Sequence, residues 1–296
     1  MASPYNFTTP CDHNSTAGFR LWGAEFSAAL ATVGLVQTAD TGQINWGTVT
    51  IPGTGTSGGY EIWRFADSTL YLKFEYGTAG TSNYPQMWVT VGTGSNGSGT
   101  ITGTNQTSTR NIFTFGQVVA SSVANYTSYM SATANHFAVV WKANGAAGSP
   151  PTPVGFLVVG KTVDGTGAAT TTGYAVLRMG QLGANCELQS VRLIATAAVG
   201  TATTKFCLVP NEPASSLDAA GNYQCYMSYM TVPDALPFMW ASAVNFNDLP
   251  LGTTFSVAQV GATARTYLSC GPISAFGSIS VNNHSATRYS WAMLYE

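Results

Sequence analysis

The chain has 296 residues, a formal net charge of −2 and a pI of about 5.9, and only 8% of its residues are charged, against roughly 25% in ordinary soluble domains. With 45% hydrophobic and 12% aromatic residues it holds ample apolar surface to offset ordering entropy, which excludes a disordered chain. The eleven basic residues are scattered singly, which argues against nucleic acid or an anionic membrane as partner, and no run approaches the roughly 18 apolar residues of a membrane span.

The opening "MASPYNFTTPCDHNS" lacks a basic and an apolar region, so it does not read as a secretory signal, and synthesis in a cytoplasm is expected. In "AGFRLWGAEFSAALATVGL", Phe19, Trp22, Phe26, Leu30 and Val33 recur at three- and four-residue steps, predicting a helix with one packing stripe. Ser15 or Thr16 caps its start and Gly34 ends it; the stripe faces either this chain's own sheet or a neighbouring subunit.

Strand patterns then take over: 60–65, 69–77, 87–92, 111–119, 136–142, 154–163, 174–180, 188–197, 205–210, 253–260 and 288–295, separated by Gly-, Pro- and Asn-rich turns. The predicted fold is all-β, sandwich- or jelly-roll-like, with one N-terminal helix packed on a sheet. A division at residues 1–110 and 111–296 is expected, one continuous β domain being the alternative. The proline cluster "GSPPTP" at 148–153 reads as a hairpin tip, because both flanks resemble core strands of matched length.

"WVTVGTGSNGSGTITG" (88–103) sets Gly92, Gly94 and Gly97 in the frame G-x-G-x-x-G. A phosphate cradle needs a helix after the glycines, so that free N–H groups face the anion. The residues after Gly97 are instead β-branched and glycine-broken, so the segment is expected to be a turn and no cofactor is implied. The other candidate chemistry is equally thin. No G-x-S-x-G frame exists, and His13, His136 and His284 stand alone, His136 reading as a packing or edge residue. Glu61, Asp67 and Glu75 each lie near Arg64 or Lys73 and read as cross-strand ion pairs. "DTG" (40–42) and "VDGTG" (163–167) are better turns than calcium loops, so no metal is expected. Cys11, Cys186, Cys207, Cys225 and Cys270 form no C-x-x-C pair and read as buried thiols, the odd number leaving room for an intermolecular disulfide. Tyr126, Tyr129, Tyr223, Tyr226 and Tyr229, with Trp240, cluster in two loop-like regions. They read as interface or packing residues, as do Phe19, Trp22, Phe26 and Leu30, with glycan stacking as the alternative.

The run from "FRLWGAEFSAALATVGLVQTADTGQINW" through "GYEIWRF" and "KFEYG" to "VTVGTG", roughly residues 18–103, resembles structural proteins encoded in tailed-bacteriophage genomes. The resemblance implies a virion component without catalytic residues, in the neck, collar, baseplate, tail or capsid decoration. Its implied partners are copies of itself and other virion proteins, and its implied place is a particle assembled in the host cytoplasm. A glycan-contacting receptor-binding module of the tail is the alternative, and a polysaccharide depolymerase the third reading.

Overall fold

The computed structural model describes residues 4–12, 15–78, 85–103, 110–114, 123–144, 152–163, 169–182, 185–194, 204–205, 226–227, 230–232, 235–238, 241–244, 251–257, 264–272 and 290–296. In chain order these form β1 (Tyr5–Asp12), α1 (Thr16–Thr32), β2 (Val36–Gln37), β3 (Ser57–Arg64), β4 (Tyr71–Thr78), β5 (Pro85–Gly92), β6 (Gly94–Ser95), β7 (Ile101–Thr102) and β8 (Arg110–Thr114). Next come β9 (Val123–Ala132), β10 (His136–Asn144), β11 (Thr152–Val163), β12 (Ala169–Leu182), β13 (Asn185–Ile194) and β14 (Thr204–Lys205). The rest are β15 (Tyr226–Met227), β16 (Met230–Val232), β17 (Ala235–Phe238), β18 (Ala241–Val244), β19 (Thr254–Val257), β20 (Arg265–Pro272) and β21 (Ser290–Leu294). The protein is thus mostly β, with a single helix among the described residues.

One sheet runs β2-β3-β4-β5-β8, a second β1-β9-β10-β11-β12-β13-β14, and a third β15-β18-β21-β20-β19. The ladders are antiparallel, and β9 to β14 follow one another as hairpins, so the large sheet is a meander closed at one edge by β1. β10 and β11 pair with His136 opposite Gly160, so the segment carrying the proline cluster joins two neighbouring strands, as expected; its residues 145–151 lie outside the described residues.

Two-residue periodicity places the core. Leu72, Phe74 and Tyr76 of β4 and Met87, Val89 and Val91 of β5 face Phe137, Val139 and Trp141 of β10 and Leu157 and Val159 of β11, all in one buried cluster. At β10 and β11 the opposite face of the large sheet is buried as well. Ala138, Val140, Phe156 and Val158 are nearly inaccessible, and on that side Tyr129 meets Tyr295 edge-on at 6.3 Å while Ser131 Oγ exchanges hydrogen bonds with the backbone of Glu296. A strand covered on both faces reads as an uninterrupted apolar run, and "HFAVVW" has that form.

α1 packs on this sandwich. Ser15 caps it by accepting from Gly18 N at 3.0 Å. At the other end Gly34 N donates to Ala31 O and Leu35 N to Leu30 O, with Gly34 at φ +93°, which is a Schellman motif whose left-handed position favours glycine. Phe19, Trp22, Phe26, Leu30 and Val33 are all buried. Phe26 meets Phe74 of one sheet edge-on (5.4 Å) and stacks on Trp141 of the other (5.8 Å), so the stripe faces this chain's own sheets. Between β2 and β3 the chain runs irregularly over the helix, dropping Ile44, Trp46, Val49 and Ile51 against the core.

Candidate functional site

The most unusual polar group in the interior is Glu61, 1% exposed in β3. In the β3–β4 register Tyr60 stands opposite Glu75, Glu61 opposite Phe74 and Ile62 opposite Lys73. Alternation therefore turns Glu61 inward, away from Lys73. Its Oε1 accepts from Ser27 Oγ of α1 (2.8 Å) and Trp46 Nε1 (3.1 Å), and its Oε2 from Tyr76 OH (2.7 Å) and Trp63 Nε1 (3.3 Å). Four neutral donors from helix, connecting segment and two strands thus share one carboxylate. Burial, then the Glu61 charge and then its hydrogen bond push the Tyr76 hydroxyl well above its ordinary pKa, which keeps it a donor. A carboxylate so enclosed has no face left for a substrate, and its chemical role is to tie four elements together.

This corrects the expectation of cross-strand ion pairs. Glu75 pairs with Lys73, two residues away on the same strand (3.2 Å), and that ammonium lies over the Tyr60 ring. Asp67 pairs with Lys161 of β11, and Arg64 donates to the carbonyls of Phe65 and Ala66 and to Ser68 Oγ. Burial acts to raise the Asp67 pKa, but hydrogen bonds from Lys161 and Thr69 together with the Lys161 charge outweigh it, and the net shift is downward.

Other described charges are also paired within the chain, several of them at the surface. Arg20 donates to the carbonyls of Thr48 and Val49, Glu25 accepts from Thr9, Lys142 donates to Leu251 O, and Arg265 donates twice to Glu296 Oε2 (3.2 and 2.9 Å). Every Lys, Arg, Asp and Glu whose side chain is described is engaged within the chain. The exterior beside them is short of charge and partly apolar. Tyr5, Leu21 and Val36 are 38%, 43% and 38% exposed, on β1, α1 and β2. The outward face of α1 carries Ala17, Leu21, Ala24, Ala28 and Ala31, all exposed and none charged. In the sequence these residues form a second stripe, out of phase with the buried one and made mostly of small side chains.

The glycine-rich segment folds as a hairpin. β6 and β7 pair with Gly94 opposite Thr102, and a strand succeeds the glycines where a phosphate cradle would need a helix. Asn96 Oδ1 accepts from Ser98 N (2.9 Å) and Thr100 N (3.0 Å), and Gly97 and Gly99 take φ values of +80° and +92°. Asp40, the acid of the "DTG" turn, is bound into this hairpin: it accepts from Ser95 Oγ and from Gly99 N (3.3 Å). Its slight burial acts to raise the Asp40 pKa, but the hydrogen bonds from Ser95 and Gly99 help to outweigh it, and the net shift is downward. No cluster of three metal-ligating side chains occurs among the described residues.

The first tyrosine cluster lies in a strand rather than a loop, and its Tyr126 is a packing residue as expected. "ANYTSYMS" belongs to β9, inside the large sheet: Tyr126 is 2% exposed in the core, and Tyr129 is half-buried against Tyr295. Alternating Tyr, Ser and Thr in an inner strand mimic a loop composition, which is why the sequence misled. Tyr226 lies in β15, while Tyr223, Tyr229 and Trp240 lie outside the described residues. His136 opens β10 and is buried, its Nδ1 2.8 Å from Thr133 Oγ1, whereas His13 and His284 lie outside the described residues. Cys11, Cys186 and Cys270 fall in β1, β13 and β20, and Cys207 and Cys225 outside the described residues, as do residues 164–167 of "VDGTG".

Comparison of the chain with protein-family models, with curated proteins and with solved structures returned no match. No helix among the described residues is long and apolar enough to cross a membrane.

Proposed function

We propose that the chain is a structural component of a tailed-phage particle, in the neck, tail or capsid decoration, assembling in multiple copies. The observation that carries this reading is a surface poor in unpaired charge, the described ionic side chains being satisfied within the chain. The sequence as a whole is only 8% charged with a formal net charge of −2, and low net charge favours association. The apolar exterior residues of β1, α1 and β2 supply a surface that a neighbour would cover. Residues 18–103, which carry the resemblance to phage structural proteins, include Leu21 of α1 and Val36 of β2, though not Tyr5 of β1.

The test is the mass of the purified protein in solution by size exclusion with light scattering, together with electron microscopy of particles carrying the chain. A multimer at micromolar concentration and repeated copies on a particle are expected. Leu21→Lys, at an exposed position, should leave the circular dichroism spectrum unchanged and weaken self-association about tenfold or more. A monomer that cleaves a polysaccharide, or a chain absent from the particle, would overturn the reading.

A further inference from the structure

The β6–β7 hairpin brings four features to one peptide bond, and they do not depend on the virion reading. The nitrogen of Gly97 comes directly after Asn96, so it is the atom that closes a five-membered ring on the Asn96 side-chain amide. Its N–H donates to Ser95 Oγ (3.3 Å), and Ser95 Oγ donates in turn to the Asp40 carboxylate. The carbonyl of Gly97 is held by Thr41 N (3.0 Å), which fixes the residue from its other side. The oxygen that would take up negative charge, Asn96 Oδ1, already sits between the N–H groups of Ser98 (2.9 Å) and Thr100 (3.0 Å). Both Asn96 and Gly97 are exposed, and a glycine nitrogen has no side chain to hinder its approach.

From this arrangement we infer that Asn96–Gly97 is a self-modifying step, at which the folded hairpin promotes conversion of Asn96 to aspartyl and isoaspartyl forms. Ser95, polarised by Asp40, accepts the Gly97 amide proton as the Gly97 nitrogen bonds to Asn96 Cγ. The oxyanion at Oδ1 is stabilised by two backbone donors aimed at it in advance. Collapse breaks the Cγ–Nδ2 bond, the proton leaves with the amine as ammonia, and a succinimide remains. Water then opens either carbonyl of that ring, giving a carboxylate at position 96 or an isoaspartyl linkage. No oxidant or further reactant is needed. The product adds a negative charge to a hairpin whose N–H groups already serve Asp40.

The experiment incubates the full-length folded protein at neutral pH and follows position 96 by peptide mapping, with isoaspartyl methylation as a second readout. The reference is the same chain unfolded in urea. Conversion in the folded chain is expected to run about tenfold faster than in the unfolded chain, since a positioned relay and paired donors are absent there. Ser95→Ala and Asp40→Asn, each checked for native circular dichroism, should lower the folded rate toward the unfolded one. A folded rate equal to or below the unfolded rate would show that the hairpin protects Asn96, and the inference fails. It fails equally if both variants fold and convert at the wild-type rate.

Discussion

Glu61 is surrounded by donors rather than by a cation, so its replacement tests how the interior is held together. Glu61→Ala leaves the buried Tyr76 and Trp63 donors, and the half-buried Ser27 and Trp46 donors, without their acceptor. Each buried unsatisfied group costs about 1–3 kcal/mol, so a loss of about 3–5 kcal/mol is expected after partial relaxation. Tyr76→Phe removes one donor only and should cost about 1–2 kcal/mol. Urea midpoints with unchanged slope would measure both; a smaller loss for Glu61→Ala than for Tyr76→Phe would refute the shared-acceptor arrangement. His136 gives a pH-dependent test. Burial, then the charge of Arg265, lowers its pKa from 6.5 to about 3. The unfolded chain therefore binds one more proton between those values. The stabilising effect of keeping His136 neutral is fully present above pH 6.5 and declines as pH falls toward 3, by at most about 1.4 kcal/mol per pH unit. His136→Gln should flatten that slope in urea titrations, and an unaltered slope would place the acid sensitivity elsewhere.

At the level of elements, α1 is the joint between two sheets, and its stripe belongs to the chain's own core. Trp22→Ala or Phe26→Ala removes an aromatic from that core and should cost about 3–5 kcal/mol. The helix ends are cheaper: Ser15→Ala should cost about 1 kcal/mol through the lost cap, and Gly34→Ala about 1–2 kcal/mol through the left-handed φ. Thermal unfolding of the set should rank the core pair far below the end pair in stability. An inverted ranking would mean that the helix packs weakly and is held by its termini. Gly23 has a different constraint, because a Cβ there would run into the Trp46 ring and displace one of the donors to Glu61.

For the whole molecule the telling property is where its few charges go. With only 8% of residues charged and the described ion pairs formed within the chain, contacts between copies are expected to be apolar and hydroxyl-mediated. Raising salt screens charge within about 10 Å at 0.1 M and favours apolar burial by exclusion with sulfate. Self-association measured by light scattering should therefore hold or strengthen as salt rises; dissociation in moderate salt would point to ionic contacts between copies. Tyr295 and Glu296 lie against Tyr129 and Ser131, the cross-strand neighbours of Val140 and Ala138, so truncation before Ser290 is expected to uncover that part of β9 and β10 and to cause aggregation.

Much of the secondary structure was legible in the residues, because periodicity and end chemistry are local. Phe19 to Val33 at helical spacing, Ser15 and Gly34 at the ends, and the alternation in "LYLKFEY" need no distant partner to be read. The same holds for the glycine turn, whose β-branched sequel cannot be a helix. What the chain could not disclose was which groups meet. Glu61 next to Arg64 and Lys73 looks like a surface ion pair until register turns it inward, where Trp46, Trp63 and Tyr76 arrive from positions up to fifteen residues away. Tyr126 in a polar-looking strand is core because a second sheet and a helix lie over it. Local propensity depends on neighbours in sequence, whereas burial, charge partners and the clamp around Asn96 depend on segments that only folding brings into contact.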